Sequence, residues 1–409
     1  MNKKYNILMV LENYYPPDIR VFKEAKVLID GGLNVNLLCL GKEKSLEREI
    51  VDGLNVFRIV KNTGFQKWRG FLNYYINFIN PLWFKAVERL VRELNIELLH
   101  VHDLPLVKTC LKVAEKYNIP VIADLHENYP AAVRDWRNYE SGLKSKLISF
   151  LMPVRRWRRY EKSVLQKVTN IITINKETAT HYVEDCGLPF EKIIVVRNTD
   201  TVENLLKYEL HQDIIERYKG FFIVTYIGSF GPHRGLETVL NSVTLLRKKI
   251  PKLKILIVGG GPKGYEQNLY NIVKKLNLES VVDFTGWVDY KFIPTYIHLS
   301  NICLIPYKLS EHTDNALPHK LFQYMAFSKP IVATRTKSFS KVIEDNNCGL
   351  LFPSGDYEAL ADCILKLYEN KDLALEMGLN GLKTVKELYN WREDAERLLK
   401  LYKEILKCD

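Results

Sequence analysis

Short apolar, β-branched runs alternate with longer helix-patterned stretches along this chain, and they do so twice over. In the first half the runs fall at 7–11, 35–40, 56–60, 98–101, 121–125, 171–174 and 193–196; in the second, at 222–227, 254–258, 281–284, 302–305, 331–333 and 350–352. The stretches between them read as amphipathic helices. Residues 21–29 have Asp18 ahead as an N-cap and Gly31-Gly32 as a stop. Leu236, Val239, Leu240, Val243 and Leu246 recur at helical spacing. Strands alternating with helices make parallel sheets covered on both faces. Two such blocks in 409 residues, too many for one typical core, predict an α/β chain of two doubly wound, Rossmann-like domains. The polar stretch 198–220 carries no strand pattern and is the expected junction. The domains are placed at 1–200 and 201–390, with 391–409 a helix expected to pack back on the first.

Composition narrows the partners without naming one. Hydrophobic residues make up 47% and charged residues 26%, ordinary values for a soluble domain protein. The net charge of +11 favours an anionic partner. The apolar run at 7–11 is too short for a secretory core, and no stretch approaches the roughly 20 apolar residues that span a bilayer. The seven cysteines are scattered, with no CxxC. The expectation is a reduced, cytoplasmic chain with neither a disulfide framework nor a zinc site.

In an open parallel sheet, ligands bind beyond the carboxyl ends of the strands, and two sheets facing each other would form a cleft. After 222–227 comes Gly228-Ser229-Phe230-Gly231-Pro232-His233-Arg234-Gly235, a glycine-rich turn into a helix whose free N–H groups suit a phosphate, with Arg234 as a fixed cation. After 254–258 comes Gly259-Gly260-Gly261-Pro262-Lys263-Gly264. This satisfies G-x-G-x-x-G, but it follows the second strand of its block rather than the first, which argues against a nicotinamide dinucleotide. After 302–305 the densest segment begins. Glu311 to Lys320 forms a polar loop, with Asn315, Ala316 and Leu317 offering N–H groups at a helix entrance and Pro318 in the first turn. Gln323 lies about two turns farther on. In the first half, strand ends carry His100-Val101-His102-Asp103 and Asp124-Leu125-His126-Glu127. No H-x3-H or HExxH spacing appears, and two strand ends so far apart in sequence argue poorly for a shared metal ion.

These residues resemble glycosyltransferase family 4, retaining enzymes of the two-domain GT-B fold. The likeness spans nearly the whole length. It rests on Pro17-Asp18-Ile19-Arg20-Val21-Phe22-Lys23-Glu24-Ala25, the two histidine-bearing strand ends, Val196-Arg197-Asn198, Gly228…Arg234-Gly235, Val258-Gly259-Gly260-Gly261-Pro262, and above all Asn315…Gln323-Tyr324-Met325-Ala326 with Lys329-Pro330. The family's Glu-x7-Glu pair is here Asn315 and Gln323, and its basic residue after the first glycine is here Ser229. Arg234 matches the second basic position, and Lys320 is a candidate to supply the missing charge.

The resemblance implies transfer of a sugar from a nucleotide-sugar, with retained configuration and no metal. The departing diphosphate would be held by Arg234, Lys320 and the N–H groups near Gly228 and Ala316. His126 would meet the donor sugar as a catalytic residue. Gly228, Ser229, Gly261, Asn315, Ala316, Leu317 and Gln323 would bind the donor, and Asp18, Arg20 and Asp103 the acceptor. Two stretches bear on the acceptor: Phe71, Tyr74, Tyr75 and Phe78 on one face, and a stripe of Leu143, Leu147, Phe150, Leu151, Val154 and Trp157. Lys144, Lys146, Arg155, Arg156, Arg158 and Arg159 interleave that stripe. Such a segment either lies peripherally on an anionic bilayer, pointing to a lipid-linked acceptor and surface polysaccharide, or simply covers the first sheet. No nucleic-acid-binding signature accompanies the charge. The rivals are a nucleotide-sugar epimerase of the same fold and a catalytically silent nucleotide-sugar-binding subunit.

Overall fold

The computed structural model describes residues 4–16, 18–60, 74–137, 148–199 and 202–407. Pro17, Phe71, Leu143, Lys144, Lys146 and Leu147 lie outside them. Two compact units divide the chain: Met1–Arg197 with Arg392–Asp409, and Asn198–Trp391.

The first unit holds β1 (Asn6–Tyr14), β2 (Asn34–Gly41), β3 (Arg48–Val51), β4 (Leu54–Val60), β5 (Leu98–His102), β6 (Val121–Leu125), β7 (Asn170–Thr173) and β8 (Ile193–Val195). Their order is β3-β4-β2-β1-β5-β6-β7-β8. All pairs are parallel except β3 with β4, an antiparallel hairpin that the alternation of strand and helix does not predict. Its Asp52-Gly53 turn takes positive φ at both positions, the type I′ geometry of tight hairpins. β1 is central because Ile7, Leu8, Met9 and Val10 are wholly buried, as a strand covered on both faces must be. The helix Ile19–Asp30 starts where Asp18 accepts the Val21 N–H. The C-terminal helix Trp391–Leu406 buries Leu398, Leu401 and Tyr402, and its Asp394 pairs with Arg197.

The second unit holds β9 (Phe222–Ile227), β10 (Leu253–Val258), β11 (Val282–Gly286), β12 (Ile302–Ile305), β13 (Ile331–Thr334) and β14 (Gly349–Phe352). The order is β11-β10-β9-β12-β13-β14. The helix Leu236–Leu246 buries Leu236, Val239, Leu240, Val243 and Leu246 completely. The stretch after residue 197 carries two short helices, Val202–Leu206 and Gln212–Arg217. In both sheets the chain reverses its direction of travel beside the first strand, between β1 and β5 and between β9 and β12. Loops leaving the carboxyl ends there diverge and open a crevice.

Candidate functional site

In the second unit, the loops after β9 and β12 converge on a pair of cations. Gly228 has φ +138, and a Cβ on it would lie 2.7 Å from Lys320 Nζ. The ammonium therefore rests on bare backbone, beside Ser229. It also lies 3.9 Å from the centre of the Tyr226 ring and 5.6 Å from that of Tyr307. Arg234 stacks on the other part of this wall, 4.6 Å from the Tyr307 ring centre. Gly235 keeps the turn possible: its φ is +69, and a Cβ would fall 1.8 Å from the Pro306 carbonyl oxygen. Among the described residues Lys320 has no carboxylate partner. Burial first, and Arg234 second, press its pKa well below the ordinary lysine range. The same burial and the same guanidinium push His233 down to about 3 and His312 to about 4, so both stay neutral. The result is a guanidinium beside a lysine whose charged form only a counter-anion would favour, with aromatic walls at the switch point, a receptor for an anion.

Several predicted donor contacts are already committed inside the unit. The Gly228 N–H donates to Val258 and the Ala316 N–H to Thr313; Asn315 N–H also turns back to Thr313. The cause is a short helix, Glu311–Asp314, closed by a capping box between Ser310 and Thr313. Of the N–H groups expected to face an anion, those of Gly228, Asn315 and Ala316 are therefore engaged inside the unit. Pro318 is the N-cap of the helix His319–Ala326 rather than part of its first turn. The Asn315 amide donates to the Glu311 carbonyl at 3.4 Å. Gln323 is buried and donates to the Tyr290 hydroxyl at 3.0 Å. The Gly261 N–H goes to Glu266, and its missing side chain leaves room for Phe230. Ser229 is exposed, and Leu317 is buried beside the entrance.

In the first unit, sheet order brings the two histidine-bearing strand ends together, since β5 and β6 are neighbours with His102 opposite Asp124. The sequence reading treated these ends as widely separated; lateral pairing makes them one site. One Asp124 oxygen takes His102 Nδ1 at 3.0 Å and His126 Nε2 at 2.9 Å. Arg20 pairs with the same carboxylate and with Glu24 at 2.8 Å. His100 stacks on His102 with ring centres 4.4 Å apart, and its Nδ1 is hydrogen-bonded to the Tyr402 hydroxyl. Burial disfavours a charged Asp124, but Arg20 and His126 outweigh it and hold the carboxyl well below its usual range. For His126, burial and Arg20 oppose protonation, yet Asp124 and Asp103 raise its pKa to about 9. It is thus an imidazolium at neutral pH, about a quarter exposed. Burial and His100 instead push His102 down to about 3, and burial with Asp124 lifts Glu24 to about 7.

Arg20, expected at the acceptor, is instead 4% exposed, with its Nε and one terminal nitrogen turned to Asp124 and Glu24. Glu24 and Tyr402 were missed; the signal for Glu24 was a charged i,i+4 pair, Arg20 and Glu24, on the helix face that also carries Val21, Ala25 and Leu28. Asp18 caps its helix. Asp103 takes φ +64, a conformation a side chain rarely adopts and one that collects at functional sites. It borders a cavity of about 520 Å³ whose walls include Tyr74, Tyr75, Tyr129, Trp136 and Trp157. Glu12 and Glu127 add further carboxylates to the lining. Tyr129 and Trp136 carried no signal in the sequence, because only the fold packs Tyr129 on Trp157 and Trp136 on Tyr129.

Comparison with known proteins identifies the family. The description "Glycosyltransferase Family 4" matches residues 19–199, and "Glycosyl transferases group 1" matches residues 208–384. The chain belongs to glycosyltransferase family 4, group 1 type. This family 4 chain is 25% identical over 249 residues to an uncharacterized glycosyltransferase of Methanocaldococcus jannaschii, covering 59% of the chain and 60% of that protein. It is 23% identical over 169 residues to the GDP-mannose-dependent alpha-(1-6)-phosphatidylinositol monomannoside mannosyltransferase of Mycobacterium tuberculosis, covering 41% and 43%. The matches thus span only about half the length of such relatives. Sucrose-phosphate synthase from Thermosynechococcus elongatus has the same fold, with a TM-score of 0.79 at 17% identity, covering 99% of this chain and 100% of that one. The fold is therefore GT-B.

Proposed function

We propose that the chain is a retaining glycosyltransferase that moves a sugar from a nucleotide-sugar to a saccharide or lipid-linked saccharide, in the making of surface polysaccharide. Its second unit holds the donor diphosphate without a metal ion. The observation that carries this reading is Lys320: an ammonium without a carboxylate partner among the described residues, lodged beside Arg234 against two tyrosine rings. Buried cations cost stability unless a counter-charge arrives, and a diphosphate supplies it. When the bond from the anomeric carbon to phosphate breaks, its electron pair passes to the diphosphate. Arg234 and Lys320 stabilise that growing charge more than they stabilise the intact donor, which is the condition for acceleration. His126, an imidazolium oriented by Asp124, is assigned to the donor sugar. The aromatic-walled cavity beside Asp103 is assigned to the acceptor, whose rings would stack on Trp136 and Tyr129. A relative's name, with GDP-mannose as donor and a phosphatidylinositol mannoside as acceptor, supports both halves of the reading.

Membrane contact belongs to the same proposal. Among the described residues no helix is long and apolar enough to cross a bilayer. In the helix Val154–Leu165, Trp157, Val164 and Leu165 face the core, so of the described residues of the predicted stripe Trp157 is the buried one. Phe150, however, is 81% exposed, near the exposed Arg155, Arg158 and Arg159. Flotation with anionic vesicles at low salt should carry the protein, and a Phe150→Ser variant less; no flotation removes the membrane part. Donor binding is tested by thermal stabilisation with UDP-, GDP-, ADP- and CDP-sugars in EDTA. A selective rise supports the reading and names the base. No rise with any of them defeats it. A rise without transfer to any acceptor would favour the silent-subunit alternative, which the internally engaged Asn315 and Gln323 already motivate.

A further inference from the structure

Away from either crevice, three side chains of the first unit form a compact group of metal-binding type. Glu161 sits on the helix Val154–Leu165, His181 on the helix Lys176–Glu184, and Cys186 in the turn that follows. One ligand atom from each lies within 4.8 Å of the others. We propose that this group binds a zinc-class divalent ion, with Cys186 Sγ, His181 Nε2 and a Glu161 oxygen as ligands and water in the fourth position.

The distances are close to those between ligands of one ion. Nε2 lies 3.2 Å from Glu161 Oε2, and Sγ lies 3.8 Å from the same oxygen. A charge-assisted imidazole–carboxylate bond closes to about 2.7–2.9 Å. A tetrahedral ion with nitrogen or oxygen at about 2.1 Å and sulfur at about 2.3 Å spaces its ligands roughly 3.4–3.6 Å apart. The second ring nitrogen is arranged as zinc-binding histidines require, since Nδ1 meets the Asp185 carboxylate at 2.6 Å and so leaves Nε2 for the ion. Glu161 is 2% exposed, and its Oε1 has no hydrogen-bond partner among the described residues. A carboxylate so placed needs more counter-charge than a histidine at 3.2 Å provides. Gln166 fixes the turn by donating to the Cys186 carbonyl at 3.0 Å. Thiolate, imidazole and carboxylate together suit zinc rather than magnesium or calcium. Spacing between cysteines could not reveal the site, because two of its three ligands are not cysteines. The ion would tie together two helices, one of which carries Trp157 in the cavity wall.

The test is cobalt(II) added to the full chain purified without chelator and then stripped. The expected result is one equivalent bound, with near-ultraviolet thiolate-to-cobalt absorption and tetrahedral visible bands, both abolished in Cys186→Ala and displaced by zinc. X-ray absorption on the zinc-loaded wild-type protein, which needs no variant to fold, should show one sulfur and three nitrogen or oxygen neighbours. Zinc should raise the melting temperature of the wild type and not that of Cys186→Ala. Cobalt bound without thiolate absorption, or a zinc shell without sulfur, overturns the proposal. The outcome is separable from donor binding, because the sugar-nucleotide shift is measured in EDTA and no residue of this group belongs to the Lys320 pocket.

Discussion

Replacing Asp124 with asparagine removes the charge that keeps His126 protonated. Burial and Arg20 hold the His126 pKa down; Asp124 and Asp103 overturn both and lift it from 6.5 to about 9. That rise of about 2.5 units corresponds to about 3 kcal/mol at about 1.4 kcal/mol per unit, an upper figure for a side chain 26% exposed. The sign follows from linkage. The folded-state pKa lies above the unfolded one, so the stabilisation is complete below about pH 6.5 and is lost as pH rises through about 9. In Asp124→Asn the burial and the Arg20 repulsion persist while the chief attraction is gone, so His126 should titrate below the ordinary histidine value. Histidine-selective nitrogen-15 NMR reads this directly, with His126→Gln assigning the signal. Denaturant unfolding at about pH 6 and about pH 10 should show a larger loss for the wild type than for Asp124→Asn. The alkaline limb of the pH–turnover profile should move down by two units or more. A wild-type His126 that titrates near 6.5 would refute the reasoning, whatever the variant's activity.

Further outcomes follow from other parts of the structure. Lys320→Met should raise the melting temperature of the ligand-free protein, because the fold depresses this lysine's pKa and so disfavours the charged form; the same change should weaken nucleoside-diphosphate binding by about 10- to 100-fold in calorimetry. Gly235→Ala should lower stability by at least about 2 kcal/mol in denaturant titration, since both the positive φ and the Pro306 carbonyl forbid a Cβ. Trp136→Ala should raise the acceptor KM about tenfold through lost stacking while leaving donor binding unchanged, and its 39% exposure keeps the stability cost small.

Thirteen of the fourteen strands are legible as apolar runs because buried parallel strands need little else. β3 is the exception for a physical reason: Arg48-Glu49-Ile50-Val51 is an edge strand with alternating exposed positions, so it carries no run. The charge cluster around Asp124 was legible residue by residue but not as a cluster, because lateral neighbours in a sheet are distant in sequence. The donor loop misled in a different way. Its backbone groups looked available, yet Ser310 and Thr313 form a capping box that closes a four-residue helix and takes up those of Asn315 and Ala316. Lys320 was legible only as a charge in the right segment. Its closeness to Gly228 depends on β9 and β12 being adjacent.

The replacement of the family's two glutamates changes the electrostatics of the proposed donor pocket in one direction. Asn315 and Gln323 withdraw two negative charges from the unit that carries Arg234 and Lys320, so the positive field on a diphosphate is less offset. What is given up is the charge-assisted grip on hydroxyl groups. Gln323→Glu separates the two effects. Gln323 is 5% exposed and now donates to the Tyr290 hydroxyl; a glutamate would instead accept from that hydroxyl, which rotates to suit, so the fold can tolerate it. Binding of an uncharged nucleoside should tighten by up to about tenfold, the difference between a neutral and a charge-assisted hydrogen bond. Binding of the nucleoside diphosphate should tighten less or weaken, because the new carboxylate offsets the two cations. Calorimetry on both ligands decides. If both affinities stay at the wild-type value in a folded variant, Gln323 does not face the nucleoside and its buried bond to Tyr290 is a packing contact.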